Sequence, residues 1–343
     1  MKKKILALIL ACAMILALAA CSGSANTEQP AAEAPASDAA PAASAETPAA
    51  EGKTYTVGVC QLVQHEALDA ATQGFCDALT EALGDAVTID VQNASGDSVN
   101  CGTIVNGFVS KNVDLIMANA TPALTAAASA TADIPILGTS ITAYGVALDI
   151  ADFSGTVGGN ISGTSDLADL AAQAQMILDW FPDTQKVGLL FCSAEPNSRY
   201  QIEEVAKYLA DKGVETEEFA FTDTNDVASV TQSAADYADV VYIPTDNTAA
   251  ANTEAIGNVL IPAGVPAICG EEGICRGCGV ATLSISYYDL GVTTGKMAAK
   301  ILTGEANISE MPVEFTDATP KYSPSVCEQL GITPLEGYEA IEG

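Results

Sequence analysis

The sequence predicts an α/β protein of two Rossmann-like lobes, each built on a parallel sheet, joined by a multi-strand hinge. Three observations carry that reading. Strand and helix periods alternate from Thr54 onward, an order that calls for parallel strands with helices on both faces. The alternation occurs twice at an offset of about 130 residues, a period that means duplicated lobes and not a solenoid. Each copy also contains a buried-strand run that ends in a polar, turn-prone tip before an Ala-rich helical stretch, at Asp114 to Pro122 and at Asp239 to Asn247. Ligands of open parallel sheets bind just beyond the carboxyl ends of the strands, so two matched tips imply two lobes facing one ligand.

In chain order, Thr54 to Cys60 reads as the first strand, and Glu66 to Leu83 holds the helical period until Gly84 stops it. Val87 to Gln92, Asn100 to Lys111, the Leu115 strand, Ala123 to Ala130 and Ile134 to Gly138 complete the first copy. The second runs through Lys186 to Phe191, Arg199 to Lys212, Val214 to Phe219, Asn225 to Tyr237, the Asp239 strand and Val265 to Gly270. Gly155 to Thr164, rich in Gly, Ser, Thr and Asn, is where the chain crosses between lobes. A strand at Val280 to Ile285 leads to a helix from Leu290 to Leu302 that the second copy does not need. We expect that helix to return to the first lobe, and the tail after Pro312 to rejoin the second. The expected lobes are thus 53–160 with 284–312, and 161–283 with 313–343, hinged by two or three strands that let a cleft open and close.

Residues 1–20 are expected to leave before folding. Lys2 to Lys4 precede an apolar core from Ile5 to Leu18, too short to span a bilayer, and Leu18-Ala-Ala-Cys21 closes it. That ending resembles the lipobox of bacterial lipoproteins, which implies lipidation at Cys21 and an anchor on the extracytoplasmic face of the membrane. Residues 22–52 are Ala, Pro, Ser, Thr and Glu with almost no large apolar side chain, a composition expected to form a disordered stalk. The formal net charge of −31 becomes more negative once three lysines are cleaved. There is no basic footprint for nucleic acid. Eight further cysteines are scattered singly through strand and helix patterns and read as buried thiols. Cys275-Arg-Gly-Cys278 leaves a loop disulfide or a zinc half-site open, but no second pair lies nearby to complete a metal site.

Four stretches then resemble a known family. Val59-Cys-Gln-Leu-Val-Gln-His-Glu-Ala-Leu-Asp-Ala-Ala-Thr72, Ser193-Ala-Glu-Pro-Asn-Ser198, Ile243-Pro-Thr-Asp-Asn247 and Gly270-Glu-Glu-Gly273 are similar to ABC-transporter substrate-binding proteins of the TrpX-like group. The resemblance covers roughly Tyr55 to Leu335 and implies the type I periplasmic-binding-protein fold. It further implies a monomer that captures an aromatic amino acid and delivers it to a separate permease and ATPase, with no cofactor.

The resemblance and the strand tips together nominate site residues. Gln61 and His65 sit in the first strand-to-helix turn, Thr121 at the third tip, and Glu195, Asn197 and Ser198 in the first turn of the second lobe. Thr245, Asp246 and Asn247 form the second lobe's own tip, and Glu271 follows the next strand. An amino-acid ligand wants hydroxyls and helix N-termini for its carboxylate and a desolvated carboxylate for its ammonium. Thr121 and Ser198 suit the first, and Asp246, or failing it Glu271, the second. The same residue types are also the preferred helix caps. After the fourth strand the family commonly carries a Thr-Asp-Pro-type turn, whereas this chain reads Thr139-Ser-Ile-Thr-Ala-Tyr144. Thr139 and Ser140 therefore join the candidates, and Tyr144 is expected either to stack on a ligand ring or to fill the pocket of a smaller ligand. Glu66 also stands where a proline is commoner.

Other classes fit less well. The lone histidine, His65, has no nucleophile nearby in sequence, so no catalytic triad is suggested. Gly295-Lys296-Met297 lacks the glycine spacing and the Ser/Thr of a phosphate loop. A structural surface protein would not need two matched strand tips, while a ligand sensor of the same fold would read identically.

Overall fold

The computed structural model describes residues 52–342. The signal segment, Cys21 and almost all of the stalk lie outside the described residues. The first lobe opens with β1 (Tyr55–Gln61), α1 (Glu66–Leu83), β2 (Val87–Asn93), α2 (Ser98–Lys111), β3 (Leu115–Asn119), α3 (Thr121–Ala130), β4 (Ile136–Ile141), α4 (Tyr144–Ala147) and β5 (Ile161–Ser165). The second contains α5 (Leu170–Trp180), β6 (Lys186–Cys192), α6 (Pro196–Asp211), β7 (Glu215–Phe221), α7 (Val227–Tyr237), β8 (Val240–Ile243), α8 (Asn247–Ala250), α9 (Thr253–Ala263), β9 (Ala267–Cys269), α10 (Glu272–Cys278) and β10 (Ala281–Ser284). The chain then gives α11 (Tyr287–Thr303) and β11 (Glu314–Phe315) to the first lobe, and β12 (Thr319–Tyr322), α12 (Pro324–Leu330) and β13 (Glu339–Ala340) to the second.

The sheets run β2-β1-β3-β4-β5-β11 and β7-β6-β8-β9-β10-β12-β13. Their shared opening order confirms the duplication physically: in each, the first strand sits between the second and third, which makes a switch point at the carboxyl ends. Central strands such as β3 and β8 are buried along their whole length, as helices on both faces require. Edge strand β7 instead carries Glu215, Glu217 and Glu218, charges that discourage pairing with another chain. Every pairing is parallel except β10 with β12. That exception follows from the hinge, because β10 leaves the second lobe and β12 re-enters it, so the two run in opposite directions.

Strand pairing carries the first sheet past the expected lobe boundaries. β5 pairs with β4, and β11 with β5, so the crossings fall at residues 166–169, 285–286 and 316–318. The small residues of β5 form a fully buried strand because their hydroxyls find partners inside. Thr164 Oγ1 lies 3.1 Å from Thr139 Oγ1 and 2.9 Å from Thr294 Oγ1, and Ser162 Oγ donates to the Met311 carbonyl at 3.0 Å. Helix α11 returns to the first lobe and lies along α1 over Gly74, Gly291 and Gly295, where the backbones approach too closely for larger side chains.

Candidate functional site

The carboxyl ends of β1 and β4 face those of β6, β8 and β9 across a cleft. A small cavity there is lined by His65, Leu68, Ser140, Thr142 and Asp166 from the first lobe and its crossing, by Asn197, Thr245, Asp246, Asn247, Ala250 and Glu271 from the second, and by Tyr287 of α11. Its volume is about 10 Å³, enough for one water-sized sphere. The lobes are therefore closed on each other, and anything larger than a water molecule enters only when they part. His65 Nε2 lies 3.3 Å from Asn247 Oδ1 across the cleft. Arg276 of α10 reaches over to Glu66 of α1, while its other nitrogen holds Glu272 at 2.9 Å and Lys321 holds Glu272 at 2.6 Å. The residue that replaces the commoner proline thus anchors an ionic link between the lobes. Toward the mouth, Asn247 also lines a second cavity of about 360 Å³ that presents Leu62, Val63 and Pro122.

Four carboxyl groups are buried in and around the cleft, and no Lys or Arg lines the small cavity. Asp246 is the N-cap of α8: Oδ1 accepts from Ala249 N at 2.8 Å and Oδ2 from Cys192 N at 2.6 Å. Glu195 accepts from Thr248 N at 2.9 Å and Thr248 Oγ1 at 2.8 Å with one oxygen, and from Asn247 N at 3.0 Å and Asn247 Nδ2 at 2.6 Å with the other. Glu271 caps α10 through Ile274 N and through Gly273 N at 2.7 Å. These three brace the second lobe's tips, as acidic residues at helix starts do. Asp166 differs. Its Oδ2 accepts from the Tyr287 hydroxyl at 3.0 Å, but Oδ1 is buried with no hydrogen-bond partner among the described residues.

Burial pushes Asp166 up to about 6 and Glu271 up to about 7, against hydrogen bonds that favour the charged forms. It raises Asp246 as well, helped by the neighbouring charge of Glu195. His65 is held below its ordinary value by burial, opposed by its bond to Asn247. A carboxyl raised in the folded state keeps a proton that the unfolded chain has released, so its stabilisation is complete below the unfolded pKa and disappears as pH climbs through the folded one. The unfolded values lie near ~4. We expect the unfolding midpoint of the ligand-free protein to fall between about pH 7 and 8, where the last protons leave Glu271 and Asp246 and His65 is largely neutral in both states. A midpoint that rises across that window, read by differential scanning calorimetry, would contradict these raised values.

The cleft brings together His65, Ser140, Asn197, Thr245, Asp246, Asn247 and Glu271 from the sequence candidates. The others lie around it. Gln61 clamps the β1–α1 turn, donating to Asp69 Oδ1 at 2.5 Å and accepting from Thr72 Oγ1 at 2.6 Å. Thr121 starts α3, Thr139 bonds within the sheet, and Ser198 is buried in α6 beside Asn197. Glu195 faces the larger mouth cavity. Tyr144 does not line the small interlobe cavity; it borders a separate one of about 540 Å³ with Phe153, Leu167 and Tyr200. It is 2 % exposed in the first lobe's core, its hydroxyl donating to the Thr164 carbonyl at 3.2 Å and its ring stacked on Phe153. The cause is local: Gly138 and Gly163 leave the slot that its hydroxyl occupies, and a Cβ on either would collide with that oxygen.

Sequence reasoning missed Asp166, Thr142 and Tyr287. The available signal was a carboxylate directly after a run of small residues at a crossing, answered by Tyr287 at the next crossing. The CxxC pair lies on helix α10, not a loop. Cys275 and Cys278 are buried free thiols, and Cys278 Sγ donates to the Ile274 carbonyl at 3.3 Å.

Residues 56–337 match the family described as ABC transporter substrate binding protein. A tyrosine-binding protein of Clostridioides difficile is 33 % identical over 270 residues, 78 % of each chain. Among solved structures, an ABC domain from Streptococcus pneumonia in complex with L-Trp superimposes with a TM-score of 0.79 at 31 % identity, covering 84 % of this chain and all of that one. A ligand-free, open substrate-binding protein with adhesive properties from Clostridium difficile gives 0.65 at 32 % identity, over 84 % of this chain and 99 % of that one. At near-equal identity, the poorer fit to the open structure is what two closed lobes produce.

Proposed function

Because the chain belongs to the ABC transporter substrate-binding protein family, whose members bind solutes and are not enzymes, we propose that it captures a free aromatic amino acid between its lobes and delivers it to a membrane permease driven by a separate ATPase. The observation that carries this reading is the interlobe cavity, built from both lobes and framed by buried carboxyl groups, with no Lys or Arg in its lining. A zwitterion with an ammonium group supplies the missing charge. The mouth cavity offers Leu62, Val63 and Pro122 to a ring as the cleft opens around it. Relatives that bind tyrosine and L-Trp support the aromatic class. In this reading the protein is a monomer held outside the cytoplasm by lipid on Cys21. Closure excludes water, so a few polar contacts suffice for discrimination.

The test is thermal unfolding against the twenty amino acids, nucleosides, sugars and small peptides. At 100 times the dissociation constant a ligand adds about 2.7 kcal/mol, which raises the midpoint by several degrees. We expect that rise with Tyr, Trp or Phe. A rise only with another chemical class would remove the aromatic ligand while keeping the receptor.

A further inference from the structure

We infer that Asp166, positioned by Tyr287, is the group that takes the primary ammonium of the captured ligand, and that the acidic tips of the second lobe do not. The inference deepens the amino-acid reading just given and rests on it. Of the four buried carboxyl groups, Asp166 alone has an oxygen that accepts no hydrogen bond among the described residues. Both oxygens of Glu195 and Glu271 accept from backbone N–H groups at helix starts, and those of Asp246 accept from Ala249 N in α8 and from Cys192 N at the end of β6. A ligand ammonium there would have to compete with donors that hold α8 and α10 in place. Asp166 has no such duty. It is 5 % exposed, faces the cavity, and its Oδ1 has no partner among the described residues. A buried, unpaired acceptor is costly, and an arriving cation removes that cost.

Its position adds a consequence. Asp166 opens the crossing after β5, and Tyr287 follows the crossing after β10. An ammonium on this pair is bound where the chain passes between lobes, so occupancy and hinge geometry meet at the same atoms. The opposite end of the ligand has its own unpaired donor. Ser140 Oγ is buried in the same cavity with no partner among the described residues, on a residue whose φ of 55° places it in the left-handed region. Held there against its preference, Ser140 offers its hydroxyl to a ligand oxygen in the cavity that Asp166 also lines.

The experiment is titration calorimetry of the protein, Asp166→Asn and Tyr287→Phe with three probes: L-tyrosine, tyramine, which lacks the carboxylate, and 3-(4-hydroxyphenyl)propionate, which lacks the ammonium. A charge-assisted bond in a desolvated site is worth about 1.5–3 kcal/mol, or roughly 10- to 150-fold. We expect Asp166→Asn to weaken L-tyrosine by about that factor and to leave the amine-free acid unchanged, with a smaller loss for Tyr287→Phe. Removing an unpaired buried charge should also keep or raise the ligand-free unfolding midpoint, which a purely structural role would lower. Equal losses for L-tyrosine and the amine-free acid, or an unaltered L-tyrosine affinity, would overturn the assignment. If the unsubstituted protein binds no aromatic amino acid, the aromatic reading fails first. The same variants are then titrated with whichever amino acid raises the midpoint, and a protein that binds only amine-free ligands overturns the inference as well.

Discussion

Glu195→Ala is expected to lower the unfolding midpoint by roughly 10 °C and to weaken ligand binding at least tenfold. The side chain is 4 % exposed and accepts from two backbone and two side-chain donors of Asn247 and Thr248. Its removal leaves those donors without a partner at the start of a four-residue helix, which has too little propensity of its own to persist. Leaving buried donors unsatisfied costs about 1–3 kcal/mol for each group that water does not reach. Because the mouth cavity admits water to some of them, the sum settles near about 3–5 kcal/mol, and each kcal/mol moves the midpoint of a chain this size by roughly 2–4 °C. Binding suffers because Thr245, Asp246 and Asn247 are the residues this network aims into the cleft. Glu195→Gln separates charge from shape. Its amide oxygen still serves one pair of donors while its NH₂ opposes the other, so it should fall between the wild-type protein and Ala. Wild-type stability in both variants, by calorimetry, would mean that Asn247 and Thr248 are held by something else.

What the sequence made legible was whatever depends on period and on residue chemistry at chain reversals. The helix from Glu66 to Leu83 and its Gly84 stop were readable because amphipathic spacing and a glycine C-cap are local properties, and the return of α11 because the second copy was complete without it. β5 was not readable as a strand. Ile-Ser-Gly-Thr-Ser looks like solvated linker until Thr139, Thr294 and the Met311 carbonyl are seen to satisfy its hydroxyls. The site divided along the same line. Asp246 and Glu271 were found because acidic residues at strand tips are conspicuous; both line the cavity and both also cap a helix, while the second oxygen of Asp246 accepts from Cys192 N of β6. Asp166 owes its place to two crossings 121 residues apart in sequence meeting in space, a relation that no local pattern encodes. Tyr144 was drawn toward the ligand because its turn departs from the family's usual one. Gly138 and Gly163 leave its hydroxyl a slot in the first lobe's core.

Gly291→Val is expected to cost about 3 kcal/mol or more and to reduce ligand affinity, although residue 291 touches no part of the cleft. Helix propensity alone argues the other way, since valine is better than glycine in a helix interior by a few tenths of a kcal/mol, roughly. Sterics decide. A Cβ at 291 would sit 2.0 Å from the Ala71 carbonyl oxygen, and Gly74 and Gly295 show the same closeness at 2.1 Å from the Tyr288 carbonyl and 2.7 Å from the Phe75 carbonyl. The obstacle is backbone on a helix buried along that face, so no rotamer change relieves it, and α1 and α11 must separate along their length. That separation carries the effect to the cleft. α1 begins at Glu66, beside His65, and supplies Leu68 to the cavity, while α11 begins at Tyr287, which holds Asp166. Lys296→Val on the exposed side of α11 introduces the same side chain without the clash and should leave stability and affinity close to wild type. If both variants melt at the same temperature, the close helix contact is not what fixes α11 to the first lobe, and the route from that contact to the ligand is lost with it.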